Sequence, residues 1–237
     1  MSIQVNDVTV GYSRDITILN GVSIKAEEKR VTCVIGPNGS GKSTLLKTIY
    51  GFLKPSHGTV FFDGKDITGR EPCSLSNEGI TFIPQRFAVF PRLTVRENLQ
   101  MATWIFRNDH SRVEKYIDDV YARFPRLQER KSVPAGRMSG GEQRMLDLAR
   151  ALVVKPKAIL LDEPTAGLAP KVVEEVYARI ADLAKEGITL LLVDQNISKA
   201  VGIADYVYCL KEGRVVEEGP KGKFRDELRE LIQSWLI

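Results

Sequence analysis

Hydrophobic residues fall along this chain in three textures, and each predicts a different kind of element. Near the N-terminus they alternate with polar residues, as in Ile3-Gln-Val5 and Val22-Ser-Ile24-Lys25, with turn chemistry at Asn20-Gly21. This predicts short antiparallel strands over residues 1–30. The same texture returns in Gly58-Thr-Val-Phe-Phe62, followed by Asp63-Gly64, a dipeptide suited to a type I′ hairpin turn. In Val31-Thr-Cys-Val-Ile35, Ala158-Ile-Leu-Leu161 and Ile188-Thr-Leu-Leu-Leu-Val193 the apolar run is nearly continuous, as in strands covered on both faces, and a helix is expected at about 171–185 between the last two. From about Thr94 to Arg150 the spacing turns helical, with Val95, Leu99, Ala102, Ile105 and Phe106 on one face and Val113, Ile117, Val120 and Phe124 on another. The tail from Pro220 spaces Phe224, Leu228, Leu231, Ile232 and Trp235 for a docked terminal helix. Its polar face mixes acids with bases, which speaks against a membrane anchor. Together these predict an α/β fold: a parallel-sheet core, an antiparallel β-subdomain, an inserted helical subdomain at about 86–150 and a C-terminal helix at about 220–237, all in one domain over 1–237.

Composition narrows the class. With 237 residues, 43% of them hydrophobic, the chain can bury a sizeable core without staples. Its three cysteines, Cys33, Cys73 and Cys209, are odd in number and show no metal-ligand spacing, so they read as filler in a reducing compartment. A net charge of +4 arises from 34 basic and 30 acidic residues that are well mixed, so no nucleic-acid partner is expected. No apolar run approaches the roughly 20 residues of a membrane span, and no signal-peptide pattern opens the chain, which predicts a cytoplasmic protein or one attached to a membrane component.

The chemistry begins between the run ending at Ile35 and the helical stretch Leu45-Leu-Lys-Thr-Ile49. There Gly36, Pro37, Asn38, Gly39, Ser40, Gly41, Lys42 and Ser43 meet the phosphate-loop pattern G-x-x-x-x-G-K-[ST] at every fixed position. Glycines let successive backbone N–H groups turn toward one anion, and the following helix adds the positive end of its dipole. Lys42 can reach β- and γ-phosphates, Ser43 offers a hydroxyl to Mg2+, and Thr44 is a neighbouring hydroxyl. Binding of a nucleoside triphosphate follows, but kinases, GTPases and motors share this loop. A second clue is Asp162-Glu163, two carboxylates closing a buried run where parallel sheets place ligands. Asp162 suits the Mg2+ shell, and Glu163 suits a general base acting on water. A third is Met138-Ser139-Gly140-Gly141-Glu142-Gln143 ahead of a helix starting near Glu142, which makes a second anion site at a helix start.

The three motifs together resemble the ATP-binding cassette family, with Met138 where its signature usually has leucine. The resemblance covers nearly the whole chain. It implies ATP and Mg2+ as cofactors and a second cassette subunit, with ATP held between one chain's phosphate loop and the partner's Ser139, Gly140, Gly141 and Glu142. It places Tyr12 against adenine and Gln85 at Mg2+ and the attacking water. Segment Ala166-Gly167-Leu168-Ala169 crosses to the partner, with Ala169 where aspartate is usual. Gln195 stands where most members carry a switch histidine. An amide can bond a γ-phosphate but cannot shuttle a proton, so Glu163 is expected to bear most of the base role.

Phe124-Pro-Arg-Leu-Gln-Glu-Arg130, Gly167-Leu-Ala-Pro170 and Val193-Asp-Gln-Asn196 are similar to the smaller ATPase of branched-chain amino acid importers and of related urea and amide importers. That likeness implies membrane permease subunits as partners, an extracytoplasmic binding protein indirectly, and a position at the inner face of the membrane. The segment Arg86-Phe-Ala-Val-Phe90-Pro-Arg92 is where the family receives a short helix of the membrane subunit. A translation or repair factor would need a second cassette or a coiled-coil insertion, for which the length leaves no room. A GTPase lacks the signature and carries an Asn-Lys-x-Asp string that is missing here.

Overall fold

The loop 36–41 leaves the C-terminal end of β3 (Val31–Ile35), an interior strand of a six-stranded sheet, and everything else is arranged around that strand. The computed structural model describes residues 1–13 and 16–224. The sheet runs β10 (Arg214–Pro220), β9 (Tyr206–Lys211), β3, β8 (Thr189–Val193), β7 (Ala158–Asp162), β6 (Ile80–Ile83). All neighbours are parallel except the edge pair β9–β10. A second, antiparallel sheet has the order β2 (Ile16–Ala26), β1 (Ile3–Ser13), β4 (His57–Phe62), β5 (Lys65–Asp66).

Strand alternation divides the apolar residues between two cores. Cys33, Leu161, Leu192 and Val207 face a core built with the helices, whereas Val34, Leu160, Leu191 and Leu210 face the antiparallel sheet. Both faces of the parallel sheet are therefore covered, which is why its strands read as unbroken apolar runs. Helix α1 (Lys42–Ile49) packs Leu45, Leu46 and Ile49 between the sheets, and α2 (Pro72–Glu78) precedes β6. The crossover from β6 to β7 contains α3 (Val95–Ala102), a 3-10 turn, α4 (His110–Arg123), α5 (Pro125–Glu129) and α6 (Gly140–Val153). Helix α7 (Pro170–Lys185) links β7 to β8, and α8 (Ile197–Ile203) follows β8.

Several expectations are corrected. Asn20-Gly21 is no turn: it lies inside β2, an eleven-residue strand, at a bulge where the register steps from Val8↔Val22 to Val10↔Leu19 and Gly21 takes φ +67°. A bulge and a turn both need positive φ, so the dipeptide alone does not separate them. Asp63 and Gly64 do take φ values of 51° and 77° and close the Phe62↔Lys65 pair, as a type I′ turn requires. Helix α3 stops at Ala102, and Ile105 points outward at 51% exposure, so the apolar face read through Phe106 breaks there. On α4, Val113, Ile117 and Val120 are buried as their spacing demands, as is Phe124 at its C-cap. Phe224 is buried; Leu228, Leu231, Ile232 and Trp235 lie outside the described residues.

Candidate functional site

Four neighbouring parallel strands deliver the candidate residues to one edge: β3 the phosphate loop, β8 Gln195, β7 Asp162 and Glu163, β6 Gln85. This is where a parallel sheet leaves a crevice for ligands. The loop folds around Lys42, a residue 4% exposed whose Nζ donates to the carbonyls of Gly36 and Pro37 at 2.8 and 2.9 Å. Burial pulls the Lys42 ammonium below its usual range, an effect opposed by the charges of Glu163, Asp162 and Asp194. Gly36 is required by contact: a Cβ there would lie 2.1 Å from the Leu210 carbonyl oxygen. Gly39 and Gly41 take φ +80° and +103°, which only glycine adopts freely. Asn38 is exposed at the rim of this turn.

The residues fit a nucleotide with a divalent cation. Ser40 Oγ is buried in the loop without a hydrogen-bond partner, an orphaned polar group of the kind a bound anion satisfies. Ser43 Oγ donates to Asp162 Oδ1 at 2.8 Å, which fixes the pair that would hold Mg2+. Burial pushes the Asp162 carboxyl above its ordinary range, the state a divalent cation would reverse. Glu163, 6% exposed, sits in the left-handed region at φ 45°, and its Oε2 accepts from Gln85 Nε2 at 2.6 Å and also from Gln195 Nε2. Both amides thus converge on one carboxylate oxygen. Tyr12 is 58% exposed beside α1, with its hydroxyl 3.4 Å from Thr44 Oγ1 and Lys47 Nζ 5.8 Å from its ring centroid. An open, flat ring there can stack on a base.

Ser139, Gly140, Gly141 and Glu142 lie at the start of α6. Ser139 and Glu142 form a capping box: Ser139 Oγ accepts from the Glu142 N–H at 3.3 Å and Glu142 Oε2 from the Ser139 N–H at 3.0 Å. Burial pushes the Glu142 carboxyl up, but the Ser139 hydrogen bonds, helped by the paired Arg130 and Arg126, hold it below its usual range. The cap leaves the backbone N–H groups of Gly140 and Gly141 facing outward at the positive end of α6.

Asp194, Tyr177 and Thr165, none of them assigned a role at the site from sequence, tie it together. Asp194, 2% exposed, accepts from Tyr177 Oη at 2.8 Å, from Thr165 Oγ1 at 3.2 Å and from the Asn196 N–H at 2.9 Å. It thereby joins α7, the segment after Glu163 and the loop carrying Gln195. Burial and the Asp194 charge raise the Tyr177 phenol far above its usual range, so it stays a donor. Asp194 could have been flagged as a carboxylate closing a buried strand run; Tyr177 could not, since its position on α7 reads as core. Among the described residues no group of three or more His, Cys, Asp or Glu side chains forms a preset metal cluster.

Comparison with known proteins places this geometry in context. Residues 19–166 match the family model described as ABC transporter. The chain is 41% identical over 205 residues to the high-affinity branched-chain amino acid transport ATP-binding protein BraG of Pseudomonas aeruginosa, covering 86% of this chain and 87% of the relative. It is 42% identical over 213 residues to a probable branched-chain amino acid transport ATP-binding protein, LivF, of Archaeoglobus fulgidus, covering 90% and 89%. Among solved structures, the ADP conformation of an ATP-binding cassette of an ABC transporter superposes with TM-score 0.89 at 31% identity, covering 100% of this chain and 99% of the other.

Proposed function

This chain belongs to the ABC transporter family and is an ATP-binding, ATP-hydrolysing transport subunit, and from that premise we propose that it drives an importer of branched-chain amino acids. Residues 1–237 act as one cassette with 86–150 as its helical subdomain. The observation that carries the reading is the convergence of Lys42, the Ser43–Asp162 pair and the Gln85–Glu163–Gln195 cluster on adjacent strand ends.

In this reading the N–H groups of 39–43 and the Lys42 ammonium bind the phosphates, while Tyr12 stacks on adenine. Ser43, Asp162 and Gln85 would hold Mg2+, which when bound offsets charge on the β- and γ-phosphate oxygens. Glu163 takes a proton from the water that attacks the γ-phosphorus; the bond to the ADP oxygen breaks, and ADP and inorganic phosphate result. Gln85 and Gln195 aim the Glu163 carboxylate. Ser139, Gly140 and Gly141 of a second cassette, a copy of this chain or a sister, close over the same ATP, and Ala166–Ala169 meets the partner. Its support is that α6 starts at the Ser139–Glu142 capping box, so the positive end of that helix stands at Ser139–Gly141.

A groove of about 270 Å³, walled by Phe82, Ile83, Met101, Trp104 and Ile105, supports docking of a membrane permease helix beside exposed Phe87 and Phe90. No helix among the described residues is long and apolar enough to cross a membrane, in keeping with a peripheral subunit at the inner face.

The test is Glu163→Gln. Turnover of ATP should fall about a hundredfold or more, the scale of a lost general base, with ATP affinity retained. Light scattering should show an ATP- and Mg2+-dependent dimer of the variant. Near-normal turnover would remove Glu163 from the base role.

A further inference from the structure

Arg144 is fully buried at 0% exposure on α6, an uncommon place for a guanidinium and one that demands partners. Its partners are backbone: Nη1 donates to the Pro84 carbonyl at 3.0 Å and Nη2 to the Gln85 carbonyl at 2.5 Å. At the next two turns of the same face, Asp147 accepts from the Ala88 N–H at 3.2 Å and Arg150 donates to the Ala88 carbonyl. Asp147 lies 3.6 Å from Arg144 and 3.5 Å from Arg150, so it balances both cations. The two guanidiniums also stack on the loop, each 5.0 Å from a ring centroid, Arg144 on Phe87 and Arg150 on Phe90. The loop 84–90 is therefore fastened to α6 along its whole length. At its near end the Gln85 side chain reaches Glu163.

We propose that Arg144 is a positioning residue for Gln85, fixing the backbone from which that amide reaches Glu163 and making the loop move as one body with α6 and Ser139 at its start. This rests on the role of Gln85 given above. A planar fork bonding two successive carbonyls sets both the position and the direction of the chain at Gln85. A point-charge ammonium cannot do both. Because α6 begins at the capping box, a shift of that helix carries Gln85 with it, so the segment meeting the partner's nucleotide and the amide at this chain's own carboxylate respond together. Arg144, fully buried on the Pro84 and Gln85 carbonyls, acts through Gln85.

The experiment is a double-mutant cycle on the full chain, reading steady-state ATP turnover in Mg2+. Arg144→Gln is expected to lower kcat about tenfold with KM for ATP within twofold, and to lower it less than twofold further in a Gln85→Ala background. An equal loss in both backgrounds would overturn the positioning role while leaving that of Gln85 intact. Wild-type turnover in Gln85→Ala alone would overturn both. Arg144→Lys keeps the charge against Asp147 but not the fork, and is expected to fall with Arg144→Gln; full rescue by lysine would assign the effect to charge and refute the proposal. If Arg144→Gln does not fold, Arg144→Lys enters the same cycle in its place.

Discussion

Tyr177 and Asp194 show how much rests on single side chains away from the nucleotide. The phenol donates to a carboxylate that is 2% exposed, and among the described residues Thr165 and one backbone N–H share the load. Removing a buried donor from a charged acceptor costs more than the net value of an average hydrogen bond. Tyr177→Phe is therefore expected to lose about 2 kcal/mol of stability, measured by urea unfolding, a hydrogen bond to a charged group being worth about 1.5–3 kcal/mol. Turnover should fall as well, because Asp194 orients the loop bearing Gln195. A variant as stable as the parent would mean that water replaces the hydroxyl. Glu163 is another residue whose setting matters: its φ of 45° is a conformation that non-glycine residues rarely adopt, held here by the Glu163 N–H bond to the Val193 carbonyl at 2.8 Å.

At the scale of elements, the strand, loop and helix around Lys42 form a unit whose geometry is enforced from outside. Gly36 abuts the Leu210 carbonyl of β9, and two backbones cannot both yield. Gly36→Ala should displace the loop and weaken ATP binding by more than tenfold in a fluorescent-nucleotide titration, while far-ultraviolet circular dichroism stays unchanged. Retained affinity would show that β9 gives way instead. Helix α6 gains its start from the Ser139–Glu142 box, whereas α7 begins at Pro170 with no side-chain cap, since Ala169 stands at the N-cap. Alanine at 169, where the resemblance leads one to expect aspartate, thus leaves α7 without a side-chain cap.

At the scale of the molecule, the six-stranded sheet is a floor on which the phosphate loop, Asp162 and Glu163 are fixed, and the β6-to-β7 crossover brings α6 and the exposed aromatics around it. Phe90 is 42% exposed with its ring stacked on Arg150, so an acidic substitution there should be tolerated by the fold. Phe90→Asp is expected to abolish co-purification with the membrane subunits and leave the ATPase activity of the isolated chain within about twofold. Retained assembly would place the docking surface elsewhere. Sequence reading located the phosphate loop, the acid pair and the capped helix start, because each is a contiguous string whose chemistry is local. It missed Arg144, Asp147 and Tyr177, whose partners lie 17 to 60 positions away. It also misplaced Asn20-Gly21, since a bulge and a turn ask the same of the backbone.

What the chain determines by itself is therefore the set of local devices: apolar runs that must be buried on both faces, glycines where a backbone must turn or approach closely, and Gly36–Ser43, Asp162-Glu163 and Ser139–Gln143 as groups with a chemistry. These follow from covalent structure and near neighbours alone. Only the tertiary structure decided that Gln85 and Gln195 meet on one oxygen of Glu163, that Asp194 gathers three segments, and that α6 holds the loop 84–90 by buried guanidiniums. Such contacts depend on strand order and helix packing. A buried charge can persist only where distant backbone groups happen to satisfy it, and no pattern of spacing along the chain records where those groups arrive.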